Sequence, residues 1–314
     1  MAAMSSHDPV FDTSFHPRLL HPRWWGSWLA LGLLCLLALV PHGLRDRLAN
    51  RLAPTLLRIS KKQAYIAETN LKICFPELDE AGRQALLLKS IRVGLKTFMG
   101  FAELTLRSAA HLASRVKVRG WEHIEAERAA GRPVILVVPH TWAVDMIGRY
   151  FAIRGLTMCT MMKSPKDQVF DWYINRERAK GGKVYERSVG IKPAIKAIRS
   201  GASFFYLPDQ DHGREASIFV PFFGIPAATI TGLPRLAKAA GAAVVPCVTR
   251  MLPGGQGYRV EFGEAWPDFP TDDVASDTAR MNDWIEMTVR TMPEQYYWVH
   301  RRFKTRPLGE EKLY

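Results

Sequence analysis

His140 and Asp145 stand five residues apart in Pro139-His140-Thr141-Trp142-Ala143-Val144-Asp145, and such a pair is suited to taking a proton from a nucleophile. Imidazole titrates near working pH, so it can accept the proton of an attacking hydroxyl and later return it to a leaving group. The spacing predicts that Asp145, one helical turn further on, hydrogen-bonds the far ring nitrogen, fixing the tautomer and stabilising the imidazolium. No Gly-x-Ser-x-Gly turn is present, so the expected nucleophile is a hydroxyl of the substrate itself. A His-x4-Asp spacing is weak alone, and His7 with Asp12 repeats it near the N-terminus. Context separates the two. His140 follows the apolar run Val134 to Val138, at a strand-to-helix junction where open α/β sheets bind ligands. The plainer alternative is an ordinary strand-end histidine with a helix-capping aspartate.

Tyr206-Leu207-Pro208-Asp209-Gln210-Asp211-His212-Gly213 also ends an apolar run, and it gathers two carboxylates and an imidazole. A divalent cation would need further ligands close by in sequence, and a polar turn has the same composition. The expectation is therefore no metal, with this turn lying beside His140 on one sheet edge. Arg176, Arg178, Lys180 and Lys183 surround Gly181-Gly182, with Arg187, Lys192 and Lys196 beyond. Guanidinium forks in such a group suit phosphates or carboxylates; a solvated helix face is the competing reading. Tyr296 to Arg306 mixes aromatics and cations, which suits a membrane interface better than a nucleic-acid platform in a chain that carries an anchor.

These residues need a scaffold, and the pattern supplies one. Leu88, Ile91, Leu95, Phe98 and Ala102 keep one apolar face within a helical stretch over 45–110. From Arg115 onward strands and helices alternate. Strand runs at Val134 to Val138, Leu156 to Met162, Ser203 to Leu207, Ala243 to Val248 and Tyr258 to Phe262 are separated by helical stretches near Trp142 to Ile153, Phe170 to Lys180, Pro193 to Arg199 and Thr231 to Ala240. Continuous apolar strands are those buried on both faces, so the expected fold class is α/β with a mostly parallel sheet flanked by helices.

The 314 residues carry 43 Lys and Arg against 30 Asp and Glu, a net charge of +13, which favours anionic partners without choosing among them. Four dispersed cysteines make neither a disulfide framework nor a zinc site and suit a reducing compartment. Trp24 to Leu44 holds no Asp, Glu, Lys or Arg, and Trp24, Trp25 and Trp28 cluster at one end of it. That length just suffices to span a bilayer, and indoles favour the headgroup level. A signal peptide is disfavoured because Met1 to Phe15 has no Lys or Arg; an in-plane anchor is the alternative, since Pro41 closes the run early. Arg45, Arg47, Arg51, Arg58, Lys61 and Lys62 follow the segment, which puts the bulk of the chain in the cytoplasm. The expected organisation is a tail over 1–22, an anchor over 23–44 and one catalytic domain over 45–314, with a helical lead-in over 45–112.

Taken together, His21-Pro22-Arg23-Trp24-Trp25, Asn70-Leu71, Cys74-Phe75-Pro76-Glu77, the two His and Asp motifs above, Pro293-Glu294-Gln295-Tyr296 and His300 to Pro307 are far more specific than any one of them. In this order, over nearly the whole chain, they resemble the late lipid A acyltransferases of Gram-negative bacteria, the lauroyl and myristoyl transferases. The resemblance implies one N-terminal membrane helix anchored in the inner membrane, a glycerolipid-acyltransferase-like α/β domain on the cytoplasmic side, and no metal or organic cofactor. It implies acyl transfer from acyl carrier protein to a hydroxyl of a 3-hydroxyacyl chain on a Kdo-bearing lipid A precursor, and no nucleic-acid partner. It assigns His140 as base, Asp145 as its partner, Arg178 or Arg176 as the second-block arginine and Asp209 or Asp211 as the third-block acid. Trp142-Ala143-Val144-Asp145 and Asp209-Gln210-Asp211-His212-Gly213 look like the myristoyl branch, the C-terminal stretch like the lauroyl branch. Other acyltransferases of the superfamily, acting on a lysophospholipid or ornithine lipid, are the nearest alternative.

Overall fold

The computed structural model describes residues 10–314, so His7 lies outside the described residues. A helical N-terminal third comes first: α1 (Trp25–Leu39), α2 (His42–Ile59), α3 (Lys61–Cys74), α4 (Glu80–Gly100), α5 (Glu103–Leu106) and α6 (Ala109–Ser114). Then follow β1 (Val116–Arg119), α7 (Trp121–Ala129), β2 (Val134–Val137), α8 (Asp145–Ile153), β3 (Met158–Met162), α9 (Gln168–Ala179) and β4 (Gly182–Glu186). The remainder is α10 (Lys192–Arg199), β5 (Ser203–Tyr206), β6 (Ser217–Phe222), β7 (Ile225–Ile230), α11 (Gly232–Ala240), β8 (Ala243–Met251), β9 (Tyr258–Phe262) and α12 (Val274–Arg290).

Seven strands form one sheet in the order β1-β9-β8-β2-β5-β3-β4, and β6 with β7 makes a separate antiparallel hairpin. Every pairing in the large sheet is parallel except β8 with β9. The apolar runs have a direct cause in this arrangement. All four residues of β2 are buried, because Ile135 and Val137 enter a core under α10, α11 and α12 while Val134 and Leu136 enter a second core under α7 and α8. A strand covered on both faces cannot alternate with polar residues.

The hairpin and β4 went unforeseen in the sequence. Strand β4 starts at Gly182, whose φ of 149° and close approach to the Met158 carbonyl leave no room for a Cβ. Residues 10–20, expected as a tail, lie against the domain: Phe11 N–H donates to the Val184 carbonyl at 2.9 Å, and Phe15 stacks edge-on with Trp172. Helix α1 packs along α4, α5 and α9, burying Leu31, Leu34 and Ala38, and Pro41 breaks it from α2. The stretch Pro22–Leu39 is 18 residues with mean hydropathy 1.2, apolar enough by length and composition to cross a membrane.

The C-terminal aromatic and basic stretch is interior rather than a surface patch, correcting the expectation of a membrane interface there. Tyr296, Trp298 and Phe303 are buried, and buried Arg302 donates to the Ala228 carbonyl at 2.7 Å and the Thr229 hydroxyl at 2.8 Å. Asn70 of α3 holds this stretch by donating to the Trp298 and His300 carbonyls at 2.7 and 2.8 Å.

Candidate active site

Strand β2 ends by handing Val138-Pro139-His140 to the carboxyl edge of the sheet, where the Val138 N–H donates to the Tyr206 carbonyl of β5 at 2.9 Å. That bond sets the ends of β2 and β5 side by side, so His140 and Asp209 meet across 69 residues of sequence. The His140 N–H donates to Asp209 Oδ2 at 2.9 Å, and the ring Nδ1 donates to Asp209 Oδ1 in a short contact. Burial alone would raise the Asp209 carboxyl. The charge of the His140 ring, both His140 hydrogen bonds and one from Tyr296 outweigh it and hold the group down at about 2. An ionised carboxylate only accepts, so Nδ1 carries a proton and Nε2 is the ring nitrogen away from Asp209. Asp209 is wholly enclosed while the His140 side chain is 24% exposed, on the wall of a cavity of about 990 Å³.

This corrects the expected partnership, since Asp145 is not on the His140 ring. Thr141 bridges to Tyr296 and the Trp142 N–H donates to the Gln295 carbonyl at 3.0 Å, so the chain turns after His140 and α8 begins only at Asp145. The two residues therefore do not share a helix face. Asp145 instead takes a fork from Arg178 of α9, Nε to Oδ1 at 2.7 Å and Nη2 to Oδ2 at 3.1 Å. Burial opposes the Arg178 charge, but Asp145 outweighs that and raises the guanidinium further.

The doubled residues separate cleanly. Arg178 lines the cavity, whereas Arg176, two residues back on the helix, lies 5.2 Å over the Trp172 ring and is absent from the cavity wall. Asp209 reaches His140, whereas Asp211 is taken up by the Thr305 N–H at 2.6 Å, its hydroxyl at 2.9 Å and the Gly213 N–H at 2.9 Å. Of these two candidate acids, Asp209 is the one on the His140 ring, while the buried carboxylate of Asp211 ties the turn to the C-terminal stretch. The Asp211 N–H donates to His300 Nε2 at 2.9 Å, and Arg187 donates to His212 Nδ1 at 3.2 Å. Burial first, then neighbouring positive charge from His140 and from Arg187 or Arg302, holds both His212 and His300 at about 4. Both rings are therefore neutral acceptors at neutral pH.

The cavity wall draws on the ends of β3 and β5, which pair from Met158 with Ser203 to Thr160 with Phe205. Its lining includes the charged Asp145, Arg149, Lys163, Arg178 and Arg235 and the apolar Ile191, Ile195, Phe204, Leu236 and Ala239. His140 lines the same cavity. A profile of the bacterial lipid A biosynthesis acyltransferases matches residues 12–305. The chain belongs to that family. It is 38% identical to a lipid A biosynthesis acyltransferase of Haemophilus influenzae, over 96% of this chain and 94% of the relative. It is 37% identical to the Escherichia coli lipid A biosynthesis myristoyltransferase, over 99% and 95%, and 35% identical to the lauroyltransferase of the same species, over 98% and 99%.

Against that family background, the residues that sequence reasoning missed are Arg149 and Arg235 on the cavity wall. Arg149 sits one helical turn beyond Asp145, a spacing that would have placed both on one face of α8. Among the described residues, His42, Glu103 and His111 bring three ligand atoms within 4.8 Å of one another, remote in sequence from the turn considered above. Arg45 forms a buried ion pair with Glu103, so a cation already satisfies that carboxylate and a second one would be repelled.

Proposed function

We propose that this chain transfers a fatty acyl group, of the laurate or myristate class, from acyl carrier protein to a hydroxyl of a 3-hydroxyacyl chain on a Kdo-bearing lipid A precursor. The observation that carries the mechanism is the enclosed Asp209 carboxylate on His140 Nδ1, which leaves Nε2 as a base at a large cavity. The acceptor hydroxyl gives its proton to Nε2 while its oxygen attacks the thioester carbonyl. Asp209 stabilises the resulting imidazolium, a role the sequence had suggested for Asp145. The tetrahedral intermediate then expels the thiolate, and the imidazolium returns the proton to sulfur, so the base is regenerated and no cofactor is consumed.

The apolar lining from Ile191, Ile195, Leu236 and Ala239 suits the acyl chain, and the charged lining from Arg149, Lys163 and Arg178 suits phosphate or sugar carboxylate of the acceptor. In this reading Arg178 is the acceptor-binding group and Asp145 its positioning residue, since a two-point carboxylate contact fixes the plane of the guanidinium. The net charge of +13 suits an acidic carrier protein as well as the lipid. Exposed apolar residues on α1 and the cations after it suit attachment to the inner membrane with the domain on the cytoplasmic side.

Purified protein with acyl carrier protein donor and lipid A precursor tests this directly. Acyl transfer should fall by about 10²–10⁴-fold in His140→Ala. That change also strands a buried carboxylate, so His140→Asn, which keeps a donor toward Asp209 but has no base, is the decisive partner. Wild-type turnover in His140→Asn would sink the mechanism.

A further inference from the structure

We propose that α1 and α2 form a monotopic platform, lying in the plane of an anionic phospholipid surface rather than crossing the bilayer. Helix α1 exposes Trp25, Leu29, Leu33, Leu36 and Leu39, spaced as a single stripe, while Leu31, Leu34 and Ala38 on the opposite side pack on the catalytic domain. It is docked along its length. Ser27 donates to Asp167 at its start, and Arg107 donates to the Ala38 and Leu39 carbonyls, at 3.4 Å each, at its end. A helix held at both ends by segments of one domain, Asp167 at its start and Arg107 at its end, cannot cross while those segments stay together on one side of the bilayer.

Helix α2 carries the same feature further along the chain. Arg45, Ala49 and Ala53 are buried beneath it and Asp46 pairs with Lys96 at 3.2 Å, while Leu44, Leu48, Leu52 and Ile59 are exposed on one stripe. Arg47, Arg51 and Arg58 flank that stripe, and Lys61 and Lys62 follow it, all exposed. Leucines beside a row of cations fit one occupant in particular: acyl chains beneath anionic headgroups. Both helices dock on α4.

The placement serves the cavity. Phe101 packs in the cluster that holds α1 and also lines the cavity wall, as does Leu104 of α5, on which α1 rests. A lipid acceptor drawn from the membrane surface would thus meet the cavity wall without crossing open water. This last step rests on the acyl-transfer reading; the platform itself does not.

Epitope tags at each end of the full chain give the test. In inverted inner-membrane vesicles external protease should remove both tags, and in spheroplasts neither; tags on opposite sides of the membrane would overturn the proposal. In a second arm, Leu44→Gln, Leu48→Gln and Leu52→Gln are combined and flotation is followed across a titration of phosphatidylglycerol vesicles. Partition should weaken by roughly tenfold or more. Unchanged partition overturns the proposal, as does a dimer that the same changes convert to monomer, which would make a second copy the occupant. Replacing Arg47, Arg51 and Arg58 by Gln should remove the preference for phosphatidylglycerol over phosphatidylcholine vesicles; a retained preference counts against it. Turnover on detergent-dispersed acceptor should stay within about twofold of wild type in the leucine variant, because apolar contact with lipid is no part of the chemical step. That readout judges the acyl-transfer reading separately.

Discussion

The two carboxylates at the cavity, Asp209 and Asp145, sit in opposite kinds of surroundings. Asp209 is dry, and its oxygens are occupied by the His140 ring and backbone N–H. It stands on a wall braced by Asp211, Thr305, His300 and Asn70. Asp145 is 23% exposed, and its partner Arg178 is 31% exposed. An enclosed carboxylate is electrostatically strong and immobile, which suits stabilising a charge that appears transiently. A half-solvated fork is weaker and exchangeable, which suits gripping a substrate that must leave. On the proposed acyl-transfer mechanism, the chemistry and the grip are separated by burial.

The largest expected effect tests the dry side. Asp209→Asn should lower kcat by up to about 10⁴ with the fold retained, because the amide cannot stabilise the imidazolium. Asp145→Asn should cost far less in kcat and chiefly raise KM for the acceptor. If the two losses were reversed in a steady-state comparison, the assignment of the ring partner would be wrong. Next in size, Arg178→Gln should raise acceptor KM by roughly tenfold with a weaker salt dependence than wild type, as expected on losing a charge contact. A Arg178→Gln protein with unchanged KM across a salt series would remove Arg178 from the acceptor site.

Acid lability sharpens the comparison further. His212 and His300 are held at about 4, below the ordinary imidazole value of 6.5, so the unfolded chain binds their protons first. Stability is therefore complete above about pH 6.5 and declines as pH falls toward 4; Asp209, held at about 2, adds its own loss only below the ordinary carboxylate range. Melting temperature should drop between pH 7 and pH 5, and His300→Gln should flatten that slope. A slope indifferent to the substitution would show that the braced wall does not govern acid unfolding. The smallest effect concerns the apolar lining of the cavity. Ala239→Phe should shift donor preference toward shorter acyl chains with little loss of kcat on them, read from a series of acyl carrier protein thioesters.

What was legible in the sequence follows the range of the interactions. The run Val134 to Val138 announced a strand covered on both faces, and the family motifs placed His140 at its end. Its partner was illegible, because Asp209 is 69 residues away and only the parallel pairing of β2 with β5 brings it near. Arg176 and Arg178, or Asp209 and Asp211, were indistinguishable by type; two residues apart, they point to different surroundings, and tertiary contacts decide between them. Tyr296 to Arg306 misled because aromatics and cations have the same composition on a membrane face and in a core, where Arg302 finds the Ala228 carbonyl and Thr229 hydroxyl.

The clasp of Asn70 on the Trp298 and His300 carbonyls ties the first quarter of the chain to its last twenty residues. During synthesis the ribosome delivers α1 and α2 first, and roughly ten to fifty seconds pass before Thr305 emerges to close the wall behind His140, at common elongation rates. On the membrane-platform and acyl-transfer readings proposed above, the nascent protein would meet lipid long before it could hold a base in place, and a chain truncated even modestly at its end would arrive at the membrane inert.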